Sequence, residues 1–424
     1  MFINLNLNVM VRRKYIPAIV IMFVLFFMIA FVTGLQNPLG VIVKFQFGLS
    51  NGGAQLGNFV NFMAYALMGL PAGYFLRKYG YKMSSLIATG IGFTGVGILY
   101  ISGLAANFWI YLLGAFVAGF AMCMLNAVVN PMLNSIGGGG NRGNQLIQIG
   151  GAFNSLAATV IPFVVGALMG QHASHTIKDA DPVFFAIMAI FLVSFVIIFF
   201  TKIPEPERDI AERPRLFPAR GTASYLSFRH FKLGAVAVFL YVGVEISIAN
   251  SANIYLIHDM GIHPLTAGVI VSAYWLCMFI GRAIGGYYGA RFASRDMLSF
   301  AAFGALALIL MTIFTPSKIE FVFGRYGTDI PVNVLFLILC GLFTSVMWGS
   351  IFNLAVDGLG KYTEEASGFF MLMVCGGGVI PVLQGLLADW LGFLNSLWLI
   401  FACLAFILYY ASAGYKNVNR NIQV

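Results

Sequence analysis

Long apolar runs separated by short polar turns limit how this chain can fold. About 20 apolar residues in a helix cross the hydrocarbon core of a bilayer. Because lipid offers no partner for backbone N–H and C=O groups, such runs fold as helices. A window of about 20 residues predicts twelve spans, at roughly 16–43, 55–76, 83–104, 108–135, 145–170, 182–201, 232–257, 265–289, 297–315, 331–356, 366–388 and 394–414.

The composition agrees with an all-α polytopic membrane protein. Charged residues make up 9% of the chain and hydrophobic residues 60%, whereas about 25% of an average soluble protein is charged. One long polar stretch, between the sixth and seventh spans, divides the chain. We therefore predict an N-terminal six-helix half at 1–201, a cytoplasmic linker at 202–231, and a C-terminal six-helix half with a short cytoplasmic tail at 232–424.

The basic residues predict the orientation in the membrane. Twenty Lys and Arg residues fall on the side shared by both termini, and four fall on the other side: Lys44, Lys178, Lys318 and Arg325. Cytoplasmic loops carry the excess of Lys and Arg, so both termini and the linker are predicted to lie in the cytoplasm, with the chain in the inner membrane. The net charge of +9 is then a topology signal, and no nucleic-acid partner is predicted.

The two halves repeat each other. The segment GLPAGYFLRKYGYK after the second span corresponds to GRAIGGYYGARFASR after the eighth, and IGGAFNSLAATVIPFVVG in the fifth corresponds to CGGGVIPVLQGLLAD in the eleventh. Two six-helix halves in parallel repeat are the architecture of the major facilitator fold. Gly69 with Gly73, and Gly281 with Gly285, have the spacing that lets helices approach closely.

One acid lies deep in an apolar span. Glu245 is flanked by apolar helix back to Lys232 and on to His258, which places it about 20 Å from either end. An ionisable residue at that depth normally faces a bundle interior and marks a substrate path or a proton relay. The alternative is an acid neutralised by a buried partner and kept for packing. Asp357 and Asp389 lie nearer the span ends and are interpreted as interfacial structural groups.

Amide side chains supply the polarity of the N-terminal half, which contains no Asp or Glu before Asp179. Amides donate and accept hydrogen bonds without charge, as a neutral sugar requires, and aromatic rings can cover its C–H face. The alternative is hydrogen bonding between helices. The predicted substrate-binding residues are Gln36, Asn37, Asn126, Asn130, Gln148, Asn154, Tyr241, Asn250, Asn253, Trp275, Trp348, Asn353 and Gln384.

Enzymatic and metal-binding patterns are missing from the sequence. It has no Walker A lysine motif and no grouping of nucleophile, base and orienting residue, so neither ATP hydrolysis nor another enzyme activity is predicted. The histidines lack ligand spacing, so no metal site is predicted. The five cysteines lie inside apolar spans without CxxC spacing. No cofactor is expected, apart from a proton or sodium as a coupling ion.

Five segments resemble the fucose/galactose/glucose:proton symporter family of the major facilitator superfamily. They are FLYVGVEISIAN around Glu245, AVDGLGKYTEEASG from Ala355, CGGGVIPVLQGLLAD from Cys375, NAVVNP from Asn126 and GYFLRKYGYK from Gly73. The resemblance implies twelve helices, a sugar site between the halves, and alternating access coupled to protons or, in some relatives, to sodium.

The resemblance is nearer to glucose/galactose-type members than to fucose-type members. Fucose-type members have acids in the first span and at the start of the NAVVNP-like motif, where this chain has Gln36, Asn37 and Asn126. We therefore predict a monomeric importer of a hexose or related sugar, coupled to protons through Glu245. The alternatives are an uncoupled or sodium-coupled sugar transporter and a non-transporting membrane sensor. A sensor would need an output domain, which the short linker does not offer.

Overall fold

A computed structural model describes most of the chain. The described residues are 15–49, 56–169, 176–203, 205, 224–258, 260–262, 264–316, 320–323 and 328–419. Within them the chain folds almost entirely into helices, as the apolar runs predict.

Among the described residues, the N-terminal half has six α-helices. The first predicted span is broken at Leu35, and the third helix carries the second and third spans together. Asn107 caps the fourth helix, since its side chain accepts hydrogen bonds from the amides of Trp109 and Ile110. The helices are α1 (Ile16–Gly34), α2 (Gln36–Phe47), α3 (Leu56–Ala105), α4 (Phe108–Ile136), α5 (Gly140–Met169) and α6 (Asp181–Phe200).

The described part of the C-terminal half has eight α-helices, because two predicted spans are each divided. The tenth span is α10 and α11, and the eleventh is α12 and α13 with a 3₁₀ turn between them. The helices are α7 (Arg229–His258), α8 (Pro264–Tyr288), α9 (Ser294–Phe314), α10 (Val332–Thr344), α11 (Met347–Val356), α12 (Thr363–Leu372), α13 (Gly376–Leu391) and α14 (Phe393–Tyr409).

A small β-hairpin joins α9 to α10, which the sequence patterns did not predict. Strands β1 (Glu320–Phe323) and β2 (Thr328–Pro331) pair antiparallel, with Glu320 opposite Pro331. Strands of four residues fall below the length at which alternation can be read from a sequence.

The number of membrane crossings agrees with the prediction. Ten helical segments among the described residues are long and apolar enough to cross a membrane. One of them, the 50-residue α3, consists of two helical segments that meet at a turn, and its 50 residues rise about 75 Å in total, enough for two crossings. It turns at Gly80, whose φ of 83° is a conformation that glycine adopts without strain. The more polar α5 supplies the fifth predicted span.

Glycines bring the two halves together at two places, which we call the α3–α12 seam and the α5–α8 seam. In the first, a Cβ at Gly69 would lie 2.5 Å from the Leu372 nitrogen, and a Cβ at Gly368 would lie 2.6 Å from the Gly73 Cα. In the second, a Cβ at Gly286 would lie 2.8 Å from the Ile149 Cγ1. The predicted close approach at Gly69 and Gly73 is therefore confirmed.

The other predicted glycine pair packs within one half rather than between halves. A Cβ at Gly281 would lie 2.5 Å from the Leu342 carbonyl oxygen, and one at Gly285 would lie 2.6 Å from the Val346 Cγ1. Both neighbours belong to the C-terminal half. These two glycines set how closely α8 packs on α10 and on the α10–α11 joint.

The α3–α12 seam predicts a sharp difference between two glycines of one helix. Gly69→Ala should destabilise the protein, because its methyl group meets α12 backbone and overpacking costs about 1–3 kcal/mol. Gly90→Ala is the matched control, since a Cβ there has no neighbour within 4 Å. Melting temperatures in detergent should fall for Gly69→Ala, and for Gly90→Ala they should stay at or above the wild-type value, because alanine favours the helix over glycine. Equal melting temperatures for the two variants would contradict this packing.

Candidate functional site

Glu245 forms an ion pair with a buried arginine. Its Oε1 lies 3.4 Å from Nη2 of Arg282, and the two side chains are 13% and 7% exposed. Glu245 is on α7 and Arg282 on α8, so the pair joins two helices of the C-terminal half. Burying two opposite charges together avoids the large cost of an uncompensated charge in a low-dielectric interior.

The position of Arg282 corrects one step of the sequence interpretation. Arg282 is counted among the basic residues predicted to be cytoplasmic, although the predicted span 265–289 contains it. In the structure α8 continues to Tyr288, and Arg282 is buried, with 6% of its surface exposed. A sequence does not show that a partner on another helix can hold an arginine inside a span. Without it the excess of basic residues on the predicted cytoplasmic side remains.

Arg282 also bonds across the α5–α8 seam. Its Nη1 donates to the Gly151 carbonyl at 3.0 Å, to Ser155 Oγ at 2.8 Å and to Asn154 Oδ1 at 3.4 Å. Its Nε donates to the Ser345 carbonyl at 3.2 Å, and its Nη2 lies 3.4 Å from the Tyr241 hydroxyl. One guanidinium therefore bonds to both halves of the molecule.

A second bond across the halves links two predicted site residues. The Trp348 indole Nε1 donates to Asn130 Oδ1 at 2.9 Å. The Asn130 amide nitrogen donates to the carbonyl of Asn126, one turn earlier on α4. Trp348 lies beside Tyr241, with ring centroids 6.3 Å apart. An aromatic pair and an amide from the opposite half therefore meet close to the buried ion pair.

Two more predicted amides bond at or beside the α5–α8 seam. Gln148 Nε2 donates to the Val346 carbonyl at 2.8 Å, while Asn154 donates to the Phe26 carbonyl and accepts from Arg282. Gln145, which the sequence interpretation left out, donates to the Gly286 carbonyl at 2.9 Å. In this conformation these amides hydrogen-bond between helices, as the alternative interpretation expected.

The structure thus brings together part of the predicted set. Asn130, Gln148, Asn154, Tyr241 and Trp348 are linked through the seam contacts around Arg282 and Glu245. Asn126 borders the group, since its carbonyl accepts from Asn130 at 2.9 Å, while its side chain donates to the Tyr65 hydroxyl at 3.1 Å. This cluster, at the junction of α4 and α5 with α7, α8 and α11, is the candidate site.

Other predicted residues have local partners away from the seam. Gln36 accepts from the Tyr111 hydroxyl at 3.1 Å, Asn353 donates to Ser294 Oγ at 2.8 Å, and Gln384 donates to Ser396 Oγ at 3.4 Å. These bonds link helices of the same half. Nothing in the described structure connects these three residues to the candidate site.

The remaining predicted residues lack a bond to the cluster in the described structure. Asn253 Oδ1 is buried without a hydrogen-bond partner among the described residues. Asn250 is half-buried, and Trp275 packs edge-on against Tyr274, with ring centroids 5.4 Å apart. The side chain of Asn37 lies outside the described part of the chain.

The α3–α12 seam also carries an ion pair between the halves. The Arg77 guanidinium, in the turn predicted to be cytoplasmic, pairs with the Glu365 carboxylate in the first turn of α12. Next to it, Glu205 of the linker accepts hydrogen bonds from the backbone amides of Tyr81 at 2.8 Å and Lys82 at 2.9 Å. Both seams therefore lie toward the predicted cytoplasmic side, where they hold the two halves together.

Metal ligands do not converge in the part of the chain that the structure describes. No group of three or more His, Cys, Asp or Glu side chains there could hold a metal ion. All five cysteines are free thiols, buried or half-buried. The polar chemistry of the candidate site is that of amides, aromatic rings and one ion pair.

Comparison with known proteins agrees with this architecture. The Major Facilitator Superfamily model matches residues 22–380. The glucose/galactose transporter of Brucella abortus biovar 1 (strain 9-941) is 29% identical over 412 residues, covering 96% of each chain. The L-fucose-proton symporter of Escherichia coli (strain K12) is 24% identical over 424 residues, covering 94% of this chain and 93% of the relative.

Solved structures show the same fold. The crystal structure of the E. coli fucose:proton symporter superposes with a TM-score of 0.76 at 22% identity, covering 94% of this chain and 98% of the other. The predicted resemblance and the predicted fold of two six-helix halves are confirmed. The relatives described above are transporters by name, as expected for a chain that is not an enzyme.

The ion pair of the α3–α12 seam predicts a charge-reversal result. Arg77→Glu and Glu365→Arg should each lower transport by roughly tenfold, because like charges then face each other across the closed seam. The double variant Arg77→Glu/Glu365→Arg should recover most of the loss, because the pair is restored with its polarity reversed.

Uptake rates of the two single variants and the double variant, at matched expression, test this pairing. A double variant no better than the worse single variant would contradict it. Lys78→Glu is the matched control. Lys78 adjoins Arg77 and is exposed, with its ammonium over the Tyr74 and Tyr79 rings, so reversing its charge should cost much less.

Proposed function

The chain belongs to the major facilitator superfamily, and on that basis we propose that it imports a hexose or related sugar by alternating access, with proton coupling through Glu245. The observation that carries the proposal is the cluster of Glu245, Arg282, Tyr241, Trp348 and Asn130 at the junction of the two halves. The relatives named as glucose/galactose transporter and L-fucose-proton symporter supply the substrate class. We further propose that the halves are 1–201 and 232–424, joined by the linker 202–231.

The chemistry of the cluster suits a neutral, hydroxyl-rich substrate. Trp348 and Tyr241 offer aromatic rings, and Asn130, Gln148 and Asn154 offer amides that both donate and accept. In the closed conformation these groups satisfy one another, as in the Trp348–Asn130 bond of 2.9 Å. When the halves part, the same groups lose their partners, and sugar hydroxyls can replace them.

Alternating access requires that the closed side can open. The contacts joining the halves here lie on residues 144–155 of α5 and on Arg282, Gly286 and Gly289 of α8. These residues lie toward the turns predicted to be cytoplasmic. We propose that the protein sits in the inner membrane with both termini in the cytoplasm, works as a monomer, and is closed here on its cytoplasmic side.

Glu245 is the proposed coupling group because it is an acid that lies between the residues proposed to bind the sugar and the α5–α8 seam. An acid in a bundle interior is costly and is retained in membrane proteins mainly on ion or substrate pathways. Its neighbours at hydrogen-bonding distance, Arg282 and Tyr241, lie in the same half. Proton exchange at this carboxylate therefore changes the charge of the site without breaking a bond between the halves.

A second candidate function is uncoupled sugar transport. The ion pair with Arg282 favours it, since a carboxylate held by an arginine can serve structure alone. The two functions differ in whether Glu245 takes up a proton during the cycle, and a driven-uptake assay separates them. Sodium coupling is tested in the same assay by replacing the pH gradient with a sodium gradient.

Proton coupling through Glu245 predicts that the Glu245→Gln variant loses the ability to accumulate sugar but keeps the ability to exchange it across the membrane. In proteoliposomes with an inward proton gradient, the wild type should concentrate labelled glucose, galactose or fucose above equilibrium. Glu245→Gln should only equilibrate it, because an amide neither takes up nor releases a proton, while exchange of internal for external sugar continues.

Asp389→Asn is the matched control for this assay. Asp389 is an exposed acid at the outer end of α13, so the variant should accumulate sugar as the wild type does. Accumulation by Glu245→Gln equal to that of the wild type would reject Glu245 as the coupling group. Equilibration by the wild type itself, with either ion gradient, would favour the uncoupled transporter.

The aromatic part of the site predicts a defined loss of affinity. Trp348→Phe keeps a ring but removes the indole N–H, so sugar binding should weaken about 5- to 10-fold, the value of one hydrogen bond of about 1–1.5 kcal/mol. Trp398→Phe is the control, because Trp398 is 44% exposed on α14. Calorimetric titration with the transported sugar measures both variants. Equal dissociation constants for Trp348→Phe and the wild type would remove Trp348 from the site.

A further inference from the structure

The Arg282 guanidinium divides its bonds between the two halves according to its nitrogen atoms. Nη1 donates to three acceptors on α5, which are Gly151, Asn154 and Ser155. Nε and Nη2 face the C-terminal half, toward the Ser345 carbonyl, the Tyr241 hydroxyl and Glu245. The rigid planar fork of a guanidinium makes such a division possible, whereas a lysine ammonium offers a single point charge.

The local packing is shaped to let the arginine reach α5. Arg282 lies six residues before the end of α8 at Tyr288, about 9 Å from that end. A Cβ at Gly151 would lie 3.1 Å from the Arg282 Cδ and 3.4 Å from its Nε. A residue larger than glycine at position 151 would therefore press against the aliphatic part of the Arg282 side chain. The carbonyl of Gly151 is the group that accepts the Nη1 hydrogen bond at this point.

Opening the α5–α8 seam affects Nη1 of the Arg282 guanidinium differently from Nε and Nη2. As the halves part, Nη1 loses its acceptors on α5, while Glu245, Tyr241 and Ser345 move together with Arg282. A guanidinium cannot deprotonate in a protein. Its positive charge must be compensated in every conformation, and what remains available after opening is the Glu245 carboxylate.

We propose that Arg282 is the latch of the α5–α8 seam, and that the charge on Glu245 sets how tightly the latch holds. With Glu245 charged, Arg282 is compensated inside its own half and can release α5. With Glu245 neutral, the positive charge of Arg282 depends more on the hydrogen-bond acceptors of α5. The closed form of the α5–α8 seam is then more stable relative to the open form. This inference rests on the proposed function only in requiring that the halves part.

The groups facing this pair leave Glu245 as the group whose charge changes. Among the described residues, the other titratable neighbours of Glu245 and Arg282 are Tyr241 from α7 and Tyr274 from α8, and tyrosines are neutral near pH 7. From α5 and the α10–α11 joint, Asn154, Ser155 and Ser345 contribute uncharged groups. Glu245 is the carboxylate that pairs with Arg282 in the described structure.

The latch gives a reason for the carrier to keep a proton when no sugar is bound. A protonated, empty carrier is held closed on the cytoplasmic side, so the proton does not leak through. A bound sugar supplies hydrogen bonds to the amides of α5 and allows release. Arg282 is thus a positioning residue for the conformational step, acting through α5 rather than on the sugar.

A pair of spin labels across the seam tests the latch without sugar. We choose Arg142→Cys in the first turn of α5 and Phe292→Cys just after α8, since both positions are exposed, in a protein whose native cysteines are replaced. Double electron–electron resonance in lipid nanodiscs, with neither sugar nor ion gradient, gives the fraction of molecules in which the labels are far apart.

Three variants have distinct expected results. Arg282→Gln should raise the open-to-closed ratio about tenfold, because the charged hydrogen bonds to α5 are lost. Glu245→Gln should lower the ratio below that of the wild type. The double variant Glu245→Gln/Arg282→Gln should be as open as Arg282→Gln alone, because Glu245 acts through the latch.

Milder variants cover the case in which Arg282→Gln does not fold. Ser155→Ala removes the shortest Nη1 bond, at 2.8 Å, and should open the seam by a smaller amount in the same direction. Thr159→Ala is the control, since Thr159 lies one turn further along α5 and its hydroxyl bonds back to the Ser155 carbonyl. Its label distances should match those of the wild type.

Two results would overturn the latch. Unchanged label distances in Arg282→Gln and in Ser155→Ala would show that the arginine does not hold the seam. An opening of the seam in Glu245→Gln would show that Glu245 merely anchors Arg282. Because no sugar is present, a protein that fails in sugar uptake can still show the latch, and a sugar transporter can still lack it, so the two proposals fail separately.

Discussion

The structure depends on how one permanent positive charge is accommodated inside a membrane protein. Arg282 is buried at the junction of the two halves and cannot lose its proton. A carboxylate in its own half and three acceptors in the other half share its compensation. The same interaction therefore contributes to the stability of the C-terminal half and to the closure of the α5–α8 seam, which links the charge state of Glu245 to the conformation.

The α3–α12 seam and the α5–α8 seam both combine close glycine contacts with polar bonds between side chains. In both, glycines let helix backbones from opposite halves approach, as at Gly69, Gly368 and Gly286. Polar side chains then fix the contact, with an ion pair at Arg77 and Glu365 and a set of amide and guanidinium bonds around Arg282. Small residues and hydrogen bonds suit a contact between helices in lipid, where apolar surface alone gives little specificity.

Much of the fold could be predicted from the sequence, because lipid restricts the chain to apolar helices. The twelve spans, the repeat of the halves and the central acid all follow from run lengths and the position of Glu245. Finer features could not be predicted. The break at Leu35, the division at Ser345 and Val346 and the short hairpin depend on tertiary contacts that leave no periodic signal.

The site was only partly predictable for a similar reason. Amide content pointed to Asn130, Gln148 and Asn154, but composition could not distinguish them from Gln384 or Asn353, whose partners lie within one half. Arg282 was misassigned because an arginine near the end of an apolar run usually marks the membrane surface. The available signal was the predicted span 265–289 itself, which continues through GRAIGGYY and so places the arginine before the end of the span.

The most direct test of the account is whether sugar carries protons with it. Adding glucose, galactose or fucose to de-energised vesicles that contain the protein, in weakly buffered medium, should make the external medium more alkaline as sugar enters. The alkalinisation should be absent for Glu245→Gln, although that variant still exchanges sugar. Sugar entry into wild-type vesicles without any change in external pH would contradict the account.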